Sequence, residues 1–143
     1  MALKQIDHGT AEYSQMVDLR LQILRKPIGL AFTEEELSAE KNDILIAAFD
    51  EDEILGCCML TEIDREKIRL RQMAVKPEFQ GTGIGASIML FAENLAKDKG
   101  YDKMIMHARD TAIGFYEKIG YQVQGDEFTE VGLPHHVMEK KLS

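Results

Sequence analysis

The chain has 143 residues, and its 25 acidic and 17 basic residues give a formal net charge of −8. This acidity argues against a nucleic-acid-binding protein, because contacts to phosphates require a basic surface. The sequence shows neither a signal peptide nor an apolar run of about 20 residues that could span a bilayer, so we expect no membrane partner and a cytoplasmic location. The length of the chain predicts a single domain over residues 1–143.

The first half of the sequence predicts three strands and two helices. Apolar residues at helical spacing predict a helix over Thr10–Arg25, which Pro27 ends. Thr33, with Glu36 three residues later, forms a capping-box pattern at the start of a second helix, Glu34–Lys41. The three strands are predicted at Ala2–Asp7, Ile44–Asp50 and Ile54–Ile63, with Gly56 as a bulge in the third.

The second half predicts strands and helices in alternation. Strands are expected at Lys67–Val75, Lys103–Ala108, Tyr121–Phe128 and His136–Lys141, and helices from Ile84 to Gly100 and over Thr111–Ile119, with Pro134 in a loop. Three consecutive strands followed by alternation predict an α/β fold, with a mixed sheet flanked by helices on both faces. The adjacent cysteines Cys57 and Cys58 point to opposite faces of a strand, which argues against a disulfide, and no Cys/His metal motif occurs.

The stretch from Met73 to Gly85 is the most specific feature of the sequence: a strand, a short loop and three alternate glycines that open a helix. Glycine lets the backbone approach a ligand closely, and the start of a helix offers unpaired N–H groups and a positive dipole end. This combination predicts a pyrophosphate-binding loop. It is not a Walker A loop, because no lysine follows Gly85, and its GxGxG spacing departs from the GxGxxG dinucleotide fingerprint.

The loop sequence Gln80–Gly85 instead has the pattern Gln-x-x-Gly-x-Gly, and it resembles the GNAT superfamily of N-acetyltransferases, whose loop holds the coenzyme A pyrophosphate. Arg71–Glu78 resembles that family's central strand, and Ala112–Tyr121 resembles its Ala-x-x-Phe-Tyr-x-x-x-Gly-Phe/Tyr signature. Leu24–Leu30 and Phe128–Met138 are similar to a bacterial subgroup of small GNAT proteins. The resemblance implies a GNAT-type α/β fold, in which a mixed, mostly antiparallel sheet is flanked by helices on both faces and a central strand–loop–helix unit holds the pyrophosphate.

The resemblance also implies how acetyl-CoA is bound as a co-substrate, without a metal. The backbone of Met73, Ala74 and Val75 is expected to pair with the pantetheine arm and to supply an N–H for the oxyanion. Amides of the loop are expected to hold the pyrophosphate; these belong to Gln80, Gly81, Thr82, Gly83, Ile84, Gly85 and Ala86.

Two side chains complete the set that the resemblance implies. Tyr116 stands where the family places a general acid for the departing thiolate, a task that suits a phenol with a pKa of about 10. The alternative for Tyr116 is a core aromatic beside Phe115, on the buried face of its helix. Arg109 stands where relatives often carry an asparagine that contacts the cofactor.

The general base is the point at which the sequence departs from the family. Many members carry a glutamate on the strand before Ala74, whereas the corresponding residues here, Ile68–Gln72, include no carboxylate. Three side chains are alternatives: Glu62 on the preceding strand, His107 on the following strand and His136 in the last hairpin. A chain of water molecules is a fourth.

The function implied by the resemblance is transfer of an acetyl group from acetyl-CoA to a primary amine, by direct attack in a ternary complex. The acceptor is expected to be a small amine or the amino terminus of a peptide, and the acidic charge favours a cationic acceptor only weakly. Two alternatives stay open: an acyl-CoA-binding or sensing module without efficient catalysis, and a transferase that uses another acyl-CoA. A homodimer is open as well.

Overall fold

A computed structural model of the protein describes residues 1–142. Its strands and helices, in chain order, are β1 (Ala2–Ile6), α1 (Ala11–Arg20), α2 (Glu34–Ala39), β2 (Ile44–Asp50), β3 (Glu53–Glu62), β4 (Lys67–Val75), α3 (Ile84–Asp98), β5 (Lys103–Arg109), α4 (Ile113–Lys118), β6 (Gln122–Glu130) and β7 (Leu133–Lys141). The predicted order of elements is confirmed. Within residues 1–142, no helix combines the length and the apolar character needed to cross a bilayer.

The seven strands form a mixed sheet in the order β1-β2-β3-β4-β5-β7-β6. β4 and β5 run parallel, whereas β1 with β2, β2 with β3, β5 with β7 and β6 with β7 are antiparallel. The predicted α/β class, with a mostly antiparallel sheet and flanking helices, is therefore confirmed. The described chain divides into two compact units, residues 1–61 with 72–92 and residues 62–71 with 93–142; one domain over the whole chain stays a prediction.

The helices of the first unit follow the sequence pattern closely. After α1 the chain continues as a wider π-helical turn over Leu21–Arg25 and a 3₁₀ turn, which ends at Gly29 with a φ of +72°. The predicted first helix therefore has the expected extent, with a change of winding in its last part. The predicted capping box at the start of α2 is also present, because the side chains of Thr33 and Glu36 each accept a hydrogen bond from the other's backbone amide.

A buried ion pair joins α1 to the turn that follows α2. The Arg20 guanidinium donates to both carboxylate oxygens of Glu40, at 2.8 and 2.6 Å, and the Tyr13 hydroxyl donates to the same carboxylate at 2.7 Å. Arg20 is fully buried and stacks over Phe32, with its central carbon 4.7 Å from the ring centroid. Because either charge alone would be costly in the core, the pair fixes how the two helices are joined.

The β2–β3 hairpin carries the predicted bulge beside Gly56. The register of the two strands shifts between Ala48 and Phe49, opposite this glycine. A Cβ atom at Gly56 would lie 2.8 Å from Ile88 Cδ1 and 3.1 Å from the Ala74 carbonyl oxygen. Only glycine therefore allows β3 to approach the backbone of Ala74 this closely.

Cys57 and Cys58 follow Gly56 in β3, and both are free and buried. Burial raises the pKa of Cys57 to about 12 and raises that of Cys58 as well, since a buried thiolate would lose its hydration. Both thiols therefore stay protonated, and, as predicted, no disulfide joins them.

The second unit differs from the prediction in its last hairpin. β7 begins at Leu133, so Pro134 lies within a strand and not in a loop. The reason is a tight two-residue turn at Val131 and Gly132, whose φ angles of +47° and +76° let pairing with β6 start earlier than the sequence pattern indicated. Pro134 pairs with Thr129 near the turn, at the start of the strand, where proline is tolerated.

Candidate active site

The end of β4 carries the backbone groups that were predicted to bind the pantetheine arm. Gln72 has a φ of +57°, a rare conformation for a residue other than glycine, which bends the strand immediately before Met73. The Cys57 thiol donates a 3.7 Å hydrogen bond to the Gln72 carbonyl oxygen and so supports the bend. Ala74 is buried, whereas Met73 and Val75 are partly exposed. The bend at Gln72 thus turns the backbone N–H and C=O groups of Met73–Val75 away from the directions that they would have in a regular strand.

The predicted pyrophosphate loop follows directly. Pro77–Phe79 form a 3₁₀ turn, and the Gln80 side chain donates to the Val75 carbonyl oxygen at 3.1 Å, which holds the loop to the end of β4. Gly81 and Gly83 have φ angles of +80° and +92°, in the region that favours glycine. A Cβ atom at either glycine would meet no atom within 4 Å, so the loop backbone faces open space.

The first turn of α3 supplies hydrogen-bond donors next to this loop. The first helical hydrogen bond runs from the Ser87 amide to the Gly83 carbonyl oxygen, at 3.0 Å. The amides of Ile84, Gly85 and Ala86 come before it and have no acceptor inside the helix. With the positive end of the dipole of a 15-residue helix, these amides can bind phosphate oxygens.

The loop has no basic side chains of its own with which to bind an anion. Residues 80–86 include no charged side chain, and Lys76, shortly before them, is already paired with Glu53 at 2.6 Å. A phosphate here would therefore be held by main-chain amides and the helix dipole, which is the arrangement that the sequence predicts.

Tyr116, the predicted general acid, lies on α4 in the second unit. It is buried, and it packs edge-on against Phe115 and Tyr121, with ring centroids 5.0 and 5.8 Å apart. Tyr116 is thus a buried aromatic beside Phe115, as the alternative interpretation of this residue expected, whereas Phe115 itself is 38% exposed. A helix of only six residues buries a narrow stripe, which Tyr116 occupies.

A polar network holds the C-terminal end of α4 in place. The Tyr121 hydroxyl donates to one carboxylate oxygen of Glu93 at 2.8 Å, and the Lys140 ammonium donates to the other at 2.9 Å. Lys140 also donates to the Ile119 carbonyl oxygen, just after α4, at 2.8 Å. Because the buried carboxylate has two partners, the network orders the helix that carries Tyr116.

Glu62, one of the predicted bases, is exposed and already engaged. It accepts a 2.6 Å hydrogen bond from the Tyr101 hydroxyl, which raises the pKa of that tyrosine. The next residue, Ile63, donates to the Lys67 carbonyl oxygen at 3.0 Å. Glu62 therefore lies beside the beginning of β4, whereas the predicted cofactor residues Met73–Val75 form its end.

The two histidine candidates lie on neighbouring strands but on opposite faces of the sheet. His107 pairs with Val137, and the next residue, Ala108, pairs with His136. Directly paired residues share a face and successive residues alternate, so the two imidazoles point to opposite sides. The Nδ1 atom of His136 lies 3.2 Å from Asp110 Oδ1.

The surroundings of His107 include two residues that the sequence analysis missed, Arg69 and Glu130. The Nδ1 atom of His107 lies 3.0 Å from Glu130 Oε1 and 3.0 Å from Arg69 Nη2. Partial burial alone would raise the pKa of Glu130, but the hydrogen bond to His107 and the nearby side chains of Arg69 and His135 hold this pKa below its ordinary value. This contact depends on the register of the last hairpin, which no periodicity in the sequence indicates.

Arg109 and one further group complete the list of candidate ligands. Arg109 ends β5 and pairs with His135, and its contact with a cofactor stays a prediction. Within residues 1–142, the metal-type ligand atoms of Asp110, Glu127 and His136 lie within 4.8 Å of one another. Both carboxylates are exposed and one already contacts the imidazole, so we assign no metal to them.

Comparison with known proteins decides the family. The acetyltransferase (GNAT) domain family matches residues 21–142, which is most of the chain. The chain belongs to the GNAT family. This confirms the resemblance that the glycine loop and the Phe115-Tyr116 signature predict.

The GNAT chain also has curated relatives. It is 35% identical over 75 residues to the uncharacterized protein YyaT of Bacillus subtilis, a match that covers 52% of this chain and 51% of that protein. It is 30% identical over 114 residues to "Probable N-acetyltransferase 14" of Xenopus tropicalis, which covers 77% of this chain and 55% of that protein. The chain thus spans about half the length of the curated relatives it matches.

A solved structure supports the fold over the full chain. An aminoglycoside 6′-N-acetyltransferase complexed with coenzyme A matches with a TM-score of 0.86, over 100% of this chain and 98% of that chain. The two sequences are 18% identical, so the likeness concerns the fold. It confirms the expected GNAT architecture.

Proposed function

We propose that this GNAT protein transfers an acetyl group from acetyl-CoA to a primary amine of a small molecule or a peptide, by direct attack in a ternary complex. The observation that carries the proposal is the glycine loop, where positive φ angles at Gly81 and Gly83 lead into the unpaired first amides of α3. Family membership supports the activity, and the aminoglycoside 6′-N-acetyltransferase of similar fold was solved with coenzyme A.

The reaction needs a neutral amine, a donor for the oxyanion and a proton for the thiolate. We assign the backbone of Met73–Val75 to the pantetheine arm and the oxyanion, a role that the bend at Gln72 supports by redirecting these groups. The amides of residues 80–86 are assigned to the pyrophosphate, and Arg109 to a further contact with the cofactor. Tyr116 is assigned to protonation of the thiolate, on the strength of the family signature.

An acidic cleft in the first unit supports a cationic acceptor. A cleft of about 500 Å³ between α1 and the turn after β4 has the carboxylates of Asp18 and Glu78 in its walls. Lys76 also lines this cleft, and its charge is compensated by Glu53 at 2.6 Å. The cleft is therefore net acidic and attracts an ammonium group, which is the protonated form of an amine acceptor.

A second candidate function is acyl-CoA binding without efficient catalysis. The observation that favours it is the absence of a carboxylate from residues 68–72, where many GNAT members carry a glutamate base. Transfer from another acyl-CoA is a variant of the main proposal, and a panel of acyl donors distinguishes it.

The test begins with ligand-dependent thermal stability. A ligand at 100 times its Kd stabilises the native state by about 2.7 kcal/mol, so acetyl-CoA and CoA should raise the melting temperature, whereas ATP and NAD should not. Stabilisation by ATP without stabilisation by CoA would contradict the proposal. Release of thiol from acetyl-CoA in the presence of a panel of primary amines then separates a transferase from a binding module.

A further inference from the structure

The bent end of β4 is held by the neighbouring strand β3. The two strands lie side by side in the sheet, whereas the parallel ladder between β4 and β5 ends, in the described part of the chain, at Leu70 and Met106, before the bend at Gln72. β3 is therefore the neighbouring strand that can fix the backbone directions of Met73–Val75. Three consecutive residues of β3 make the contacts: Leu55, Gly56 and Cys57.

Two main-chain features hold the far side of this segment. The Leu55 carbonyl oxygen accepts a 2.9 Å hydrogen bond from the Lys76 amide, directly after β4. The next residue, Gly56, has no side chain, and a Cβ atom there would lie 3.1 Å from the Ala74 carbonyl oxygen and 3.3 Å from Val75 Cγ2. The backbones of β3 and β4 are thus in close contact at Ala74 and joined by a hydrogen bond just after it.

The near side of the segment is held by a side chain, the Cys57 thiol. It donates to the Gln72 carbonyl oxygen at 3.7 Å, and Gln72 is the residue whose φ of +57° makes the bend. A residue other than glycine keeps such a conformation only where its surroundings determine it. The Ala74 amide faces the same sulfur, because burial raises the pKa of the Cys57 thiol and a hydrogen bond from this amide opposes the rise. The thiol therefore lies against the main chain on both sides of Met73.

The surroundings of Cys57 keep this contact in place. Cys57 is fully buried and belongs to the same core cluster as Met16 of α1 and Ala74 of β4. Since burial keeps the thiol protonated at neutral pH, its S–H group is available as a donor. Cys58 is buried to the same extent, but successive residues of a strand face opposite sides of the sheet. The two cysteines thus share their chemistry and burial, while only Cys57 donates to Gln72.

We propose that Cys57 is a positioning residue for acetyl transfer: its thiol holds the main chain at Gln72, so that the amides on either side of Ala74 stay directed at the thioester. This inference rests on the proposed acetyltransferase function. A hydrogen-bond donor stabilises an oxyanion best when it is already in place as the negative charge develops. Loss of the thiol contact should therefore reduce turnover, whereas the affinity for CoA depends on the separate loop of residues 80–86.

The experiment uses substitutions that differ in one group. Cys57→Ala and Cys57→Ser have nearly the same size, but only serine keeps a donor, and Cys57→Val fills the space without one. Cys58→Ala is the matched control, because Cys58 is equally buried on the opposite face of the same strand. Thiol release with the best amine of the panel gives kcat and KM, isothermal titration gives the Kd for CoA, and urea denaturation gives the stability of each variant.

We expect Cys57→Ala and Cys57→Val to lower kcat by about 3- to 10-fold, the size that corresponds to one lost neutral hydrogen bond. Their Kd for CoA should stay within about twofold of wild type, because the pyrophosphate loop keeps its amides. Cys57→Ser should restore kcat to within about twofold, although it leaves the same space unfilled as alanine. Cys58→Ala should lose stability as Cys57→Ala does, but it should keep its kcat.

Amide hydrogen exchange gives a second measurement that does not depend on activity. Exchange over Gln72–Val75 should be faster in Cys57→Ala than in wild type, and Cys57→Ser should restore slow exchange, because the serine hydroxyl again holds the bend. A cysteine that only fills space would give equal exchange in the alanine and serine variants, and it would produce no difference between the changes in kcat and in Kd.

The outcomes separate this inference from the proposed function. An active wild type with an unchanged kcat in Cys57→Ala, or with an equal loss in Cys57→Ser or Cys58→Ala, overturns the role of Cys57 and leaves acetyl transfer intact. Equal exchange over Gln72–Val75 in Cys57→Ala and wild type overturns the contact with the bend. A wild type that binds CoA but releases no thiol with any amine overturns the proposed function, and with it a role of Cys57 in turnover.

Discussion

The glycine loop can be tested by placing a side chain on Gly83 and a matching one at the other end of the same helix. Gly83 precedes α3 with a φ of +92°, and Gly100 follows α3 with a φ of +97°; a Cβ atom meets nothing within 4 Å at either position. Valine at either position therefore costs stability through the backbone alone, by about 1–3 kcal/mol. The two variants should lose similar free energies of unfolding.

Only the variant at Gly83 should lose affinity for coenzyme A. A valine there projects into the open space where we place the pyrophosphate, and it disturbs the amides that precede the Ser87–Gly83 hydrogen bond. The loss of one hydrogen bond to a charged phosphate is worth about 1.5–3 kcal/mol. At about 1.4 kcal/mol per factor of ten, this corresponds to a Kd that is roughly 10- to 150-fold higher.

Isothermal titration with CoA measures the affinity, and urea denaturation followed by circular dichroism measures the stability of Gly83→Val and Gly100→Val. The reasoning is refuted if folded Gly83→Val binds CoA within about twofold of wild type. It is equally refuted if Gly100→Val loses as much affinity as Gly83→Val, because the effect would then report helix stability and not the loop.

Three further predictions follow from the structure. Tyr116→Phe should bind acetyl-CoA within about twofold of wild type but lower kcat about 10²- to 10⁴-fold, because the thiolate loses its acid; an unchanged kcat in the thiol-release assay removes that role. Arg20→Met should lower the free energy of unfolding by about 3–5 kcal/mol, because it leaves the buried carboxylate of Glu40 without its cation. Adding Glu40→Leu should recover most of this loss. Urea denaturation measures both variants, and a loss below about 1 kcal/mol in Arg20→Met would contradict the expected cost of the unpaired carboxylate. Since the folded-state pKa of Glu130 lies below its ordinary value of 4.5, the carboxylate stabilises the fold above that pH and this contribution disappears as the pH falls through the folded-state pKa; Glu130→Gln should therefore lose less stability than wild type between about pH 5 and pH 3.

Local patterns in the sequence were sufficient to predict most of the strands and helices of the fold. The strands Ile44–Asp50 and Lys67–Val75 have the predicted bounds, since β-branched and apolar residues end there at polar turns. The capping box at Thr33 needs only residues three positions apart, and the glycine loop needs only its own sequence. These features are local, so a single sequence contains the information that determines them.

The features that the sequence did not reveal depend on residues far apart in the chain. Arg20 and Glu40 pair across two helices, and nothing in the helical periodicity marks a buried arginine. Glu130 reaches His107 only because the hairpin register is set by the turn at Val131 and Gly132. The exposed position of Phe115 likewise follows from how short α4 is, whereas its apolar sequence favours burial.

The central claim of acetyl transfer is tested most directly by incubating the protein with acetyl-CoA and a panel of primary amines, with thiol release and the mass of the product measured together. We expect amine-dependent release of thiol, matched one to one by an N-acetylated amine and strongest with cationic small amines. Tight binding of acetyl-CoA without thiol release or acetylated product, for any amine of the panel, would contradict it.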